Sequence, residues 1–308
     1  MPGNTPQVIT SRQAKAQIDH FGRSLIIYIA VFMLFRYGTS LLYSYIPGML
    51  SSIDSNIVLQ SGEIILLILI ALIPFRISAN MLHLDIHDYL EHVKIKPGRM
   101  LCIACIGIGI NLMCTSLASI FAFFGSSSVT SYSYLGQFNT QTNIINNILY
   151  FIKNVLVVPI CDEYIFRGII QRQLGHYGRY FGVLGSAMLF AISRGTLVDA
   201  LPAFFVGWYL SLITLKYHSI HPGIQMHIIL AGFLWLLNIA PSSMLLPVTL
   251  LIIAVYVVAG FSIFSRRVST NMVRYGATEP KLWKILLTSP TIIICILLFI
   301  GNIVLSTL

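Results

Sequence analysis

The sequence predicts an all-α membrane protein, a polytopic bundle of about nine transmembrane helices with its N-terminus on the cytoplasmic side. Three observations carry this prediction. Apolar residues make up 56% of the 308 residues and charged residues only 9%, against roughly 25% charged in soluble domains. Several apolar runs reach or approach the ~20 residues that cross a hydrocarbon core as a helix. The basic residues gather in alternate connecting segments, as the positive-inside rule requires. A β-barrel is excluded by the absence of alternating ten-residue segments. Lipid offers no partner to backbone N–H and C=O groups, so each run must satisfy its own and is read as a helix.

The spans are taken in chain order. Ser24–Ile46, Ile57–Phe75 and Leu101–Phe124 come first. The residues ahead of Ser24 show no clear cleavage site, so the first run reads as a span and not a removed signal peptide. Ile144–Leu174 is too long for a simple crossing. Phe181–Ser193, Leu201–Leu215 and Pro222–Ile239 are short or moderate, and Leu201–Leu215 is the weakest of all, so that eight spans is the lower count. Met244–Phe264 and Ile285–Leu305 end the series. Between spans, the Ser/Thr/Asn-rich stretch 125–143 reads as an outward loop. Leu82–Val93 mixes apolar and charged residues, as a short amphipathic helix on the inner surface would. No linker divides the chain, so residues 1–308 read as one membrane domain, with 145–240 as the core that bears the motifs.

With the N-terminus inside and every run crossing, all of the 19 Lys and Arg except Arg36, Lys153 and Arg194 fall in the inner segments. Arg167 is counted there, with the region around 167–180. The outer loops at 47–56, 125–143, 196–200 and 240–243 hold none. The net charge of +9 is thereby a matter of topology and of contact with anionic lipid. It gives no reason to expect nucleic acid. The setting expected is an integral position in a bacterial cytoplasmic membrane, with the lipid bilayer itself as a partner.

The five cysteines all lie in expected spans and read as small packing residues. Cys102 and Cys105 have CxxC spacing without a second pair nearby, so no disulfide framework or zinc finger is indicated. His83, His87 and His92 are spaced as a surface cluster, more simply solvated than metal-binding. His218 and His221 flank Lys216 at the membrane surface. Arg36 either snorkels or closes an interhelical contact, and Glu63 has no partner visible in the sequence.

The chemistry is concentrated in Asp162-Glu163-Tyr164-Ile165-Phe166-Arg167-Gly168. Two carboxylates and an arginine inside an apolar run are costly unless paired or solvated. Glu163 and Arg167 are four apart and share a helix face, whereas Asp162 points about 100° away from Glu163, so the two carboxylates need not serve one partner. Counting from the inner surface, Asp162 lies about 18 Å deep in the fourth helix and Arg194 about 20 Å deep along the fifth. Those two can meet. His227 lies only about 8 Å past Pro222 by the same rise, shallower than both.

The same stretch resembles the first motif, Glu-Glu-x-x-x-Arg, of the CAAX-protease and bacteriocin-processing family of intramembrane proteases. Phe190-Ala191-Ile192-Ser193-Arg194 falls where that family has Phe-x-x-x-His, and His227-Ile228-Ile229-Leu230-Ala231 where it has His-x-x-x-Asn. The resemblance covers less than a third of the chain. It implies water attack on a peptide carbonyl, activated by glutamate and histidine, with fixed donors on the oxyanion. It also implies site residues Asp162, Glu163, Arg167, Arg194 and His227. Three positions depart from the pattern. Asp162 is a shorter arm where the general base belongs. Arg194 stands where a histidine helps hold the water or a metal, yet a guanidinium is a permanent cation with no acceptor. Ala231 stands where an asparagine would steady the oxyanion. No cofactor is expected, and a divalent metal such as Zn has weak support.

Two readings of function follow. One is an endopeptidase acting on a peptide or protein at the membrane through a degenerate site. The other is a silent relative, a pseudoenzyme that binds a partner or confers bacteriocin self-immunity on the same fold. A transporter is disfavoured by the absence of paired broken helices. The simplest reading of two buried opposite charges, Asp162 and Arg194, is that they pair.

Overall fold

The computed structural model describes residues 11–45, 55–85, 89–124, 144–239, 250, 253 and 280–307. Every regular element among them is helical, as the lipid argument requires. Helices α1 (Ser11–Tyr45), α2 (Ser55–Met81) and α3 (Pro97–Phe124) come first. One unbroken helical segment follows: α4 (Ile144–Phe151), π1 (Ile152–Val157), α5 (Val158–Asp162), π2 (Glu163–Gln171) and α6 (Arg172–Gly175). Then come α7 (Arg179–Ile192), α8 (Leu197–Tyr217), α9 (His221–Ile239), α10 (Pro280–Leu287) and α11 (Pro290–Thr307). The span expected at Met244–Phe264 and the loop 125–143 lie outside the described residues.

Among the described residues, four helical stretches are long and apolar enough to cross a membrane: Ser11–Phe35, Ile57–Met81, Pro97–Ile120 and Leu197–Tyr217. α10 and α11 make a fifth if their bent pair is taken as one span, while α7 and α9 are apolar but shorter. The protein is an integral membrane protein on this evidence. Leu201–Leu215, the weakest run in the sequence, lies within Leu197–Tyr217, one of these four. The helix begins before its apolar stretch because Thr196 caps it, its hydroxyl accepting from the Asp199 N–H at 3.1 Å.

Other differences from the sequence reading have local causes. α1 starts well ahead of Ser24, since its polar first turns bury Ala14, Ile18 and Phe21 against the core. The run Ile285–Leu305 is broken by a 59° bend between α10 and α11. Pro290 cannot donate there, and the hydroxyls of Ser289 and Thr291 donate to Asp19 of α1, which fixes the bend. In the stretch Leu82–Val93, where a surface helix is expected, none of the described residues is α-helical. Its carbonyls are used elsewhere. Tyr89 accepts from the Ile220 N–H at 3.0 Å and Glu91 from the Ser219 hydroxyl at 2.7 Å, which ties the stretch to the α8–α9 turn. Glu63 does have a partner, Lys153 of π1, at 2.7 Å.

π1 stands just ahead of Pro159, whose ring crowds the preceding turn and whose nitrogen has no proton. A widened turn relieves that crowding, and the Val158 N–H reaches back five residues to Lys153 O. Two cores flank the long segment. One joins α1, α2, α5–α6, α7, α10 and α11 around Phe21, Phe75, Phe166 and Phe181. The other joins α3, α8 and α9 around Leu210, Met226 and Leu230. π2 packs on α7 and α2 and also on α8, so its charged residues fall on the seam between the cores.

Candidate active site

Asp162 is the last residue of α5 and Glu163 the first of π2. Being neighbours on a helix, they diverge. Asp162 turns toward α1 and the end of α7. Its Oδ2 accepts from Arg194 Nη2 at 2.6 Å, and its Oδ1 from the Tyr28 hydroxyl at 3.4 Å. Arg194 lies just past the C-cap of α7, its N–H held by Ala191 O. The negative end of the α7 dipole suits a cation there. The turn that carries it continues through Gly195 at φ +83, where a Cβ would meet Asn302 Nδ2 at 1.9 Å.

Glu163 turns toward α8 and α9. Its Oε1 accepts from Arg167 Nη1 at 3.0 Å and lies 3.1 Å from His227 Nδ1. Arg167 Nη2 donates to Gly207 O at 2.9 Å. The approach needs a glycine: a Cβ at 207 would stand 2.8 Å from the Phe190 ring and 3.2 Å from Arg167 Nη2. Asp162, Glu163 and Arg167 are fully buried, and the Arg194 side chain is 6% exposed. Arg167 therefore belongs to the site and not to the inner-surface basic residues with which the charge count grouped it.

All five residues singled out in the sequence thus meet in one cluster, in two halves. Phe190 joins the halves. Its ring centroid lies 4.0 Å from Arg194 Cζ, 4.5 Å from Arg167 Cζ and 6.2 Å from the His227 ring. A cation near an aromatic face is stabilised by the ring quadrupole. His227, shallower than Asp162 and Arg194 by the depth count, reaches Glu163 at 3.1 Å where α9 packs beside α5 and α8.

Tyr28, the Phe190 ring and the Gly207 carbonyl were missed as site groups. Phe190 had a signal, its spacing of four from Arg194. Tyr28 and Gly207 had none, since each is brought in by a helix distant in sequence. The cysteines are all free thiols, Cys114, Cys161 and Cys295 buried, Cys105 half-buried and Cys102 exposed.

The donor set does not suit a divalent metal. Glu163 and His227 are two ligands, and no group of three His, Cys, Asp or Glu comes together among the described residues. Asp162 is engaged by a guanidinium, and Arg167 adds a second positive charge. A zinc site needs at least three protein ligands.

No curated protein and no solved structure matches this chain. A family model does, over the stretch that carries the whole cluster. Residues 144–233 match the model described as type II CAAX prenyl endopeptidase, Rce1-like, so this stretch, less than a third of the chain, is similar to that family.

Proposed function

We propose that this protein binds a peptide or a membrane-protein partner at the bilayer as a silent member of its family, its hydrolytic centre closed by an ion pair. The observation that carries this reading is Arg194 Nη2 at 2.6 Å from Asp162 Oδ2. Asp162 occupies the position where the resemblance puts the general base. A carboxylate oxygen that accepts from a guanidinium at this distance is already occupied by a fixed donor and does not face a water it could activate. Ala231 supplies no oxyanion donor, and no resident metal or other cofactor enters this reading. Bacteriocin self-immunity is one form that such binding takes. The distribution of basic residues supports nine crossings with the N-terminus inside, in a bacterial cytoplasmic membrane.

A second reading has one observation in its favour. Glu163 keeps a histidine on one oxygen while its other oxygen has no hydrogen-bond partner among the described residues. Hydrolysis then runs from Glu163 and His227 and not from Asp162. Purified protein in liposomes, given a broad peptide library, separates the two. The silent reading expects no cleavage beyond that of a Glu163→Ala, Asp162→Ala double variant. Cleavage lost in Glu163→Gln but kept in Asp162→Asn overturns it in favour of the second.

A further inference from the structure

Native proteins leave few buried polar atoms without a hydrogen-bond partner, and each such atom calls for an explanation, most often an ordered water. Four of them lie on π2 and α8, which pack against each other. They are Glu163 Oε2, Gln171 Oε1, Ser211 Oγ and Thr214 Oγ1. Glu163, Ser211 and Thr214 are fully buried, and Gln171 is 6% exposed. On α8, Gly207, Ser211 and Thr214 follow at intervals of four and three, one helix face. That face meets π2 at two measured points, Arg167 to Gly207 O and Gln171 Nε2 to Ser211 O, both 2.9 Å.

Gly223 of α9 completes the enclosure. Its backbone needs no glycine, since Gly195 alone has a positive φ among the described glycines. A glycine within a helix is less favourable than alanine. Its role is space. A Cβ at 223 would stand 2.9 Å from Glu163 Oε2 and 3.6 Å from Thr214 Oγ1. Both oxygens therefore come close to the same point of the α9 backbone, which only a glycine leaves to them.

The chemistry of the lining selects the guest. A carboxylate oxygen and an amide oxygen accept only, while the two hydroxyls both donate and accept. A guest that donates twice and accepts at least once satisfies them. A cation also suits oxygen ligands, but Arg167 already neutralises Glu163, and a second positive charge in a poorly solvated site is repelled. Water carries no such cost and needs only two to four polar partners.

We propose that Glu163, Thr214, Ser211 and Gln171 enclose an internal water site beneath Gly223, with water bridging Glu163 Oε2 to Thr214 Oγ1. The site adds a water bridge to the direct contacts by which Gln171 and Glu163 of π2 already meet α8 and α9. It stands independently of whether the protein cuts peptides.

The test reads the sign of a stability change in the full chain in detergent. Thr214→Val keeps the shape and removes the hydroxyl. With a bound water it takes away a partner, and Tm falls by about 2–4 °C. Thr214→Ser, which restores the hydroxyl, recovers most of the loss. If the site is dry, Thr214→Val removes an unmet polar group and Tm rises, which overturns the proposal. Ser211→Ala gives the same sign test should the valine variant not fold. A rise in wild-type Tm on adding Na⁺ or Mg²⁺ that Glu163→Gln abolishes assigns the site to a cation and also overturns it.

Discussion

Asp162 and Glu163 are bonded neighbours with opposite surroundings. Both oxygens of Asp162 are engaged, one by Arg194 and one by Tyr28. Glu163 places Arg167 and His227 on a single oxygen and has no hydrogen-bond partner among the described residues on the other, which lies close to the Gly223 backbone. The first half of the site is closed and fastens α5 to the end of α7. The second is polar and lies between π2, α8 and α9. One step along a helix thus decides which core a carboxylate serves, and with it which helices it joins.

The comparison breaks most easily at Arg194. Arg194→Ala leaves Asp162 buried with only the long tyrosine contact. Removing one partner of a buried pair costs about 3–5 kcal/mol. Unfolding followed in mixed detergent micelles should show a loss of that size. Asp162→Asn combined with Arg194→Gln should recover much of it, because no charge is then left alone. Retained stability in Arg194→Ala would mean that the pair is not a fastener.

His227→Leu probes the other half. Glu163 keeps Arg167, so the expected cost is that of one hydrogen bond to a charged group, about 1.5–3 kcal/mol. A double-mutant cycle with Glu163→Gln should return most of that as coupling. No coupling would separate His227 from Glu163 and dissolve the second half of the site.

The smallest expected effect is Tyr28→Phe. The contact at 3.4 Å is long, and its loss should cost no more than about 1 kcal/mol. A larger loss would make Tyr28 a full partner of Asp162. The closed half would then be a triad and not a pair.

Much of the site was legible because its cues are local. The spacing of Glu163 and Arg167 defines a shared helix face whatever the rest of the chain does. Asp162 with Arg194 followed from the rule that opposite charges in a low-dielectric interior seek each other. The depth count left His227 shallower than Asp162 and Arg194, and only the packing of α9 shows that it meets Glu163. The partner of Glu63 was invisible for a different reason. Lys153 lies ninety positions away in sequence, and no periodicity links the two.

Sequence by itself determined the solvent and the secondary structure. A chain so apolar belongs in lipid, and lipid permits the backbone of these runs only helices. It also determined that three charges at 162, 163 and 167 must find partners. Tertiary structure alone decided which partners. Tyr28, Gly207 and Gly223 are ordinary residues of their helices until packing brings α1, α8 and α9 against the long segment. The capping of α8 by Thr196 and the bend fixed at Asp19 belong to the same class. Hydrophobicity is non-directional and reads as composition, whereas a hydrogen bond needs two groups at about 3 Å in a fixed orientation. That geometry exists only once the helices are packed.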